Sequence, residues 1–201
     1  MKVRSLTPET LVDELVARID ALPRAAWARV LVDGAAPAAP GSLADALVDP
    51  LRARGRPVLR VSAADFLRPA SVRLEHGRTD PDSFRHEWLD TGGLLREVLT
   101  PLEPGGSGKV LPSLWDAAAD RASRASYVTL GEGGVLLLDG TLLLDRWLPV
   151  ELAVHLWLSP GALNRKTADD LRWTLPAYDD YDPAADVLVR YDHPDRPALV
   201  V

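Results

Sequence analysis

Residues 30–47 read VLVDGAAPAAPGSLADAL. The apolar run Val30-Leu31-Val32 ends at Asp33-Gly34, small residues and prolines follow, and helical spacing resumes at Ser42. That is a strand, a loop and a helix, and in an α/β protein this junction after the first strand is where backbone N–H groups and a helix N-terminus converge on an anion. The pattern to compare is G-x-x-x-x-G-K-[ST], whose glycines let the backbone wrap phosphates, whose lysine reaches the outer phosphates and whose hydroxyl holds magnesium. Gly34 takes the first position. Ala39 then stands where the second glycine belongs, Pro40 where the lysine belongs and Gly41 where the hydroxyl belongs, with Ser42 one place late. Proline removes a positive charge and also a backbone N–H. The frame of a phosphate loop is present and its chemistry is not.

The composition sets the class. At 201 residues, 47% hydrophobic and 26% charged, the chain has the content of one globular α/β domain over 1–201. A net charge of −6 and scattered basic residues give no footprint for nucleic acid. With no cysteine there is no disulfide, thiolate metal site or thiol nucleophile, and His76, His86, His155 and His193 lack metal-ligand spacing. The N-terminus mixes charges with apolar residues and no run approaches the ~20 apolar residues of a membrane span, so a cytoplasmic protein without membrane partners is expected. Three lysines, Lys2, Lys109 and Lys166, leave few candidates for a catalytic one.

Along the chain, Thr7 and Pro8 open an amphipathic helix over 7–22 with Leu11, Val12, Leu15, Ile19 and Leu22 on its apolar face. Leu43 to Arg54 reads as the helix after the first strand and Val58 to Val61 as a second strand, a spacing that calls for a parallel pair. Ser62 to Pro69 then lies at a strand's C-terminal end, where open sheets place ligands. Residues 70–85 read as a polar excursion turning at Thr79-Asp80-Pro81-Asp82, and Trp88 to Thr100 as a helix. Lys109 to Leu114 and Tyr127 to Leu130 form a hairpin appendage over about 104–130. Gly105-Gly106-Ser107-Gly108-Lys109 imitates a phosphate loop, but no buried strand precedes it and Pro112 blocks a following helix, so it reads as the hairpin tip. Val135 to Gly140 is a buried strand ending in Asp139, the shape of a strand-end acid that holds magnesium. Glu151 to Leu158 is a further strand, Ser159-Pro160 opens a helix that carries Arg165, Lys166 and Arg172 in a segment of about 160–182, Ala185 to Arg190 is the last strand, and Asp192 to Val201 reads as a tail.

Several of these stretches, in order, resemble the uridine kinase family of P-loop kinases, in particular its bacterial uridine-kinase-like members: Asp33-Gly34, Ser62-x-x-Asp65-Phe66-x-Arg68-Pro69, Asp80-Pro81-Asp82-Ser83-Phe84, Pro101-Leu102-x-Pro104-Gly105-Gly106, Leu138-Asp139-Gly140 and the basic segment before Ala185-Asp186-Val187. The similarity runs from Val30 to the end. It implies a P-loop, nucleoside-kinase-like three-layer α/β sandwich with a five-stranded parallel sheet, a β-hairpin appendage and a lid helix, and an activity that transfers the ATP γ-phosphoryl group to a nucleoside hydroxyl with Mg2+. The resemblance assigns the phosphate loop to Gly34, Ala39, Pro40, Gly41 and Ser42, metal holding to Asp139 and Ser42, substrate contacts to Arg68, Asp80 and Phe84, and the lid to Arg165, Lys166 and Arg172. It also exposes losses. The family's strand-end base falls on Ala64, with Asp65 one place further on, the family tyrosine falls on Leu67, and its ribose-binding acid falls on Thr79, beside Asp80.

Phosphoryl transfer is catalysed by positioning and charge, so a missing loop lysine removes a principal cation, and a missing general base costs a further ~10² to 10⁴ in rate. The resulting expectation is a uridine-kinase-like pseudoenzyme that keeps a nucleoside or phosphate pocket. Two others stand beside it. One is an active nucleoside-like kinase using ATP and Mg2+, in which Arg68, Arg165, Lys166 or Arg172 replaces the lysine and Asp65 or Asp80 is the base, with Asp139 retained. The other is a non-catalytic module, a homodimer or partner of an intact paralogue, that uses the tryptophan-rich surface of Trp27, Trp88, Trp115, Trp147, Trp157 and Trp173.

Overall fold

The computed structural model describes residues 2–200. Strand β1 (Val3–Ser5) precedes α1 (Pro8–Asp20), where Thr7 accepts from the Thr10 amide as an N-cap and Leu11, Leu15, Val16 and Ile19 are buried. Then come β2 (Ala28–Gly34), α2 (Pro40–Ala53) and β3 (Val58–Ser62). Short helical turns follow at α3 (Ala70–Arg73), α4 (Pro81–His86) and α5 (Thr91–Leu94). Two small ladders come next: β4 (Lys109–Val110) with β7 (Val128–Thr129), and β5 (Trp115–Asp116) with β6 (Arg121–Ala122). The chain closes with β8 (Val135–Gly140), β9 (Leu152–Trp157), α6 (Pro160–Lys166), a 3-10 stretch over Asp169–Tyr178, β10 (Val187–Arg190) and β11 (Ala198–Val200).

One sheet of seven strands in the order β1-β11-β10-β9-β2-β8-β3 organises all of this. The strands β10, β9, β2, β8 and β3 are mutually parallel, as the resemblance implies, and β11 and β1 extend the edge antiparallel. Alternation along the central strands sorts side chains to two faces. Val30, Val32, Val135 and Leu137 meet α1 and α2 on one face, while Leu31, Leu136 and Leu138 meet Phe66, Leu94 and Leu99 on the other. Helices and turns on both sides of the sheet make the three layers.

Several expectations are corrected. β2 and β3 are parallel but not paired, because β8 inserts between them. Residues read as a tail contain β11, which pairs with β1 through Leu199 and Arg4; Val201 lies outside the described residues. The helix expected over 88–100 starts at Thr91, because the Asp90 carboxylate caps Gly93, and it loosens into a π turn over Leu95–Leu99. The helix after Ser159 ends at Lys166. The glycine-rich stretch 105–109 sits at the base of the hairpin region, where Gly108 accepts from the Leu130 amide, and not at its tip. The polar excursion holds α3 and α4, with Asp80 capping the latter through the Ser83 amide. Among the described residues no helix is long and apolar enough to cross a membrane.

Candidate functional site: the cavity above the β2 loop

From β2 the chain goes to the β8–β3 side of the sheet, and from β8 it crosses to β9 and β10, so β2 lies where the strand order reverses. A cavity of about 600 Å³ opens there, outside the carboxyl ends of β2, β8 and β3. Its floor is the loop read from the sequence. Gly34 lets β9 approach, since a Cβ there would lie 3.0 Å from the Leu156 Cβ. A 3-10 turn over Ala36–Ala38 follows, and Ala39 takes the left-handed conformation at φ 50°, ψ 57°. That is the backbone a glycine adopts freely, at the second glycine position of the motif. Pro40 then opens α2 at a position suited to a residue without an N–H.

Three of the loop's amides turn inward. Ala38 N–H donates to Ala35 O at 2.7 Å, Ala39 N–H to Ala36 O at 3.0 Å and Ser42 N–H to Ala39 O at 2.9 Å, while Pro40 has no N–H to offer. Three donors are spent inside the loop.

Above the floor the walls are aromatic. Phe84 meets Trp88 edge-on at 5.2 Å and Trp173 at 5.6 Å, and Trp88 lies 5.6 Å from Trp173. Arg73 stacks over Trp88 from behind at 5.1 Å. Tyr178 closes one side, its hydroxyl 2.8 Å from Thr141 Oγ1, and burial pushes its phenol up to about 12, so it stays protonated. Lys166 reaches the rim with its ammonium 3.5 Å from the Tyr191 carbonyl. Arg146, also in the wall, is tied to Leu142 O at 2.9 Å, to Thr91 Oγ1 at 3.3 Å and to the Arg85 carbonyl, and burial lowers its pKa from the usual guanidinium value.

Beneath the cavity wall Asp33, wholly buried, holds three elements together. Its Oδ1 accepts from Leu143 N–H at 2.9 Å, and its Oδ2 accepts from the Tyr181 hydroxyl at 3.1 Å and lies 2.7 Å from His155 Nδ1. Burial and the Asp33 charge raise the Tyr181 pKa, which keeps the phenol a donor.

Of the residues singled out in the sequence, Gly34, Pro40, Gly41, Phe84, Asp139 and Lys166 line the cavity. The others do not. Ser42 is exposed on α2, Ala39 turns the backbone beneath, and Asp80 is spent as a helix cap. Arg172 pairs with Asp169 at 2.9 Å, Arg165 is exposed, and Arg68 contributes its backbone amide to Trp88 O. Ala64 lines the cavity and Asp65 does not; both sit in a 3-10 turn over Ala63–Phe66 that Ser62 caps, where successive side chains fan around the turn instead of alternating as in an extended strand end. The Asp65 pKa is raised by burial, against the opposing pull of Arg60. Sequence reading missed Arg60, Asp33's partners His155 and Tyr181, and the meeting of Trp88 with Trp173. Only the even spacing of Arg60 and Ser62 on one strand could have placed both on the same face as Asp139.

The order β3-β8-β2-β9-β10, with a glycine-led loop between β2 and α2, is that of a P-loop kinase-like fold. Two solved structures share it. A protein described as a possible uridine kinase from Bacillus stearothermophilus is 18% identical with a TM-score of 0.70, the match covering 90% of this chain and 97% of that one. A protein described as a "putative fructose transport system kinase" from Silicibacter sp. TM1040 is 20% identical with a TM-score of 0.67, covering 91% and 98%. No family model matches the chain, and no curated protein matches its sequence.

Proposed function

We propose that this protein is a nucleoside-kinase-like binder of small planar molecules that does not transfer a phosphoryl group from magnesium ATP. The observation that carries this reading is the β2 loop, in which Pro40 stands at the lysine position and the amides of Ala38, Ala39 and Ser42 bond inward. A triphosphate arriving there meets fewer amide donors and no lysine from the loop, where phosphoryl transfer depends on positioned charge. The residues also do not fit a divalent ion, since Gly41 has no hydroxyl and Asp139 already faces a guanidinium at 3.0 Å. The general-base position, Ala64, faces the cavity without a titratable group. What supports retained binding is the cavity itself, roomy enough for a nucleoside and walled by two indoles and a phenyl ring that stack on heteroaromatic faces.

The competing reading, a kinase with a relocated cation, has Lys166 at the rim in its favour. Arg165 and Arg172 give it no support, because neither lines the cavity. Calorimetric titration of magnesium ATP and, separately, of uridine and a panel of other nucleosides decides between them, with tryptophan fluorescence followed in parallel. We expect no saturable heat with magnesium ATP and saturable quenching by at least one nucleoside. Micromolar magnesium-ATP binding, or turnover of an alcohol acceptor lost in Asp139→Ala, overturns the non-phosphorylating reading; a panel with no quenching at all overturns the binding one.

A further inference from the structure

The strand register puts Ser62 opposite Asp139, and two residues back along β3 Arg60 shares their face of the sheet. That face is covered by the first turns of α2. Arg60 reaches under the helix so that Nη2 lies 3.0 Å from Asp139 Oδ1 and Nε lies 3.1 Å from Asp45 Oδ1, one α2 turn beyond Gly41. Ser62 Oγ donates to the other Asp139 oxygen at 3.3 Å. The contacts to both carboxylates are close but poorly aligned for hydrogen bonding, so charge, more than directed donation, holds the guanidinium there.

Gly41 completes the arrangement. A Cβ at that residue would stand 2.5 Å from Arg60 Nη2 and 3.1 Å from Asp139 Oδ2. The guanidinium therefore occupies the notch left by the missing side chain, at the motif position where a hydroxyl and a strand-end acid together hold magnesium. Gly41 and Arg60 fit each other: the absent side chain leaves room, and the arginine fills it.

We propose that Arg60 is a resident cation in the place at which this fold otherwise seats a divalent ion, and that the cavity is thereby selective for ligands that come without metal, such as a free nucleoside or another uncharged heteroaromatic molecule. This rests on the proposed function for the identity of the ligand, but not for the exclusion of metal. A guanidinium is tethered to the chain as a hydrated ion is not, so Arg60 competes for Asp139 at any metal concentration. Replacing the metal by a fixed charge also removes the coordination sites through which a metal-bound triphosphate would be steered.

The test is thermal unfolding of the full chain with and without Mn2+, at a concentration about tenfold above a millimolar dissociation constant, where a native-state binder must raise the midpoint. The native protein is expected to show no rise, the Arg60→Ala, Gly41→Ser double variant a rise of several degrees, and the same variant carrying Asp139→Asn none. An Asp139-dependent rise in the native protein overturns the proposal, and so does a double variant that gains nothing. If the double variant does not fold, Arg60→Met alone decides: with the guanidinium gone from beside Asp139, an Mn2+-dependent rise that Asp139→Asn abolishes is expected, and the absence of any rise overturns the proposal. No arm uses a nucleotide: tight binding of metal-free ATP would overturn the proposed function and leave Arg60 in its place, whereas Asp139-dependent Mn2+ binding removes Arg60 from that place whatever ATP does.

Discussion

Replacing Asp33 by alanine tests whether the cavity wall hangs on one buried carboxylate. Asp33 is inaccessible to solvent and serves Leu143 N–H, the Tyr181 hydroxyl and His155. Alanine leaves an amide, a phenol and an imidazole in the interior without their acceptor, each worth about 1–3 kcal/mol when unsatisfied, and breaking a buried charged network costs about 3–5 kcal/mol. Partial relaxation of Tyr181 keeps the expectation within that range, since its hydroxyl also accepts from Leu144 N–H at 3.0 Å. Against a total stability of about 5–15 kcal/mol this is a large fraction. In urea, with a slope near 3 kcal/mol/M, it moves the midpoint down by roughly 1–2 M. Asparagine should cost only about 1–2 kcal/mol, because its carbonyl still accepts from Leu143 while its NH2 cannot accept from Tyr181. The Asp33→Asn, Tyr181→Phe double variant should then cost less than the sum of the singles. An Asp33→Ala midpoint within roughly 0.3 M of native would refute the network as a structural tie.

Ala39→Gly should stabilise the protein. An L-residue in the left-handed region costs about 1–2 kcal/mol, and glycine gives back about 0.4–1 kcal/mol through its freer unfolded chain, so a net gain of about 0.5–1 kcal/mol is expected, read as a rise of about 1–4 °C in the unfolding midpoint. A lower midpoint would show that Ala39 is not strained. The Asp139 carboxyl has its pKa raised in the folded state, first by burial and against the opposing pull of Arg60. The folded protein therefore holds that proton more tightly than the unfolded chain, so this group's contribution is fully present below the unfolded value and is lost as pH rises through the folded one. Asp139→Asn removes the dependence, and its stability relative to native should improve as pH climbs from the unfolded carboxyl value through the raised one, measured by urea titrations at several pH values. A constant difference across that range would contradict the assignment.

Much of the fold was legible because its signals are local. Four buried apolar residues before Asp139, the apolar run before Asp33-Gly34, and Thr7-Pro8 ahead of a helical stripe each mark an element by side-chain period and backbone chemistry alone. Pro40 was equally plain, since a missing N–H does not depend on what surrounds it. Less legible were edges and short elements. β1 and β11 have three residues each, too few for a period to register, and they exist because each supplies the other's backbone partners. The helix expected over 88–100 starts later because Asp90 caps it, and apolar spacing alone does not mark that boundary.

The sequence by itself determined the central strands, the helices α1 and α2, the position of the loop between β2 and α2, and the residues that stand in it, Ala39, Pro40 and Gly41, with Ala64 beyond β3. These are facts about residue type at fixed spacing. The tertiary structure decided which residues meet: Arg60 with Asp139 across two strands and beneath Gly41, Asp33 with His155 and Tyr181 across more than a hundred positions, and Trp88 with Trp173 over the cavity. Such meetings depend on strand register and on which face of a pleated strand each side chain takes. Neither is fixed until every neighbouring strand is in place, and it is there, rather than in any motif, that the site acquires its cation.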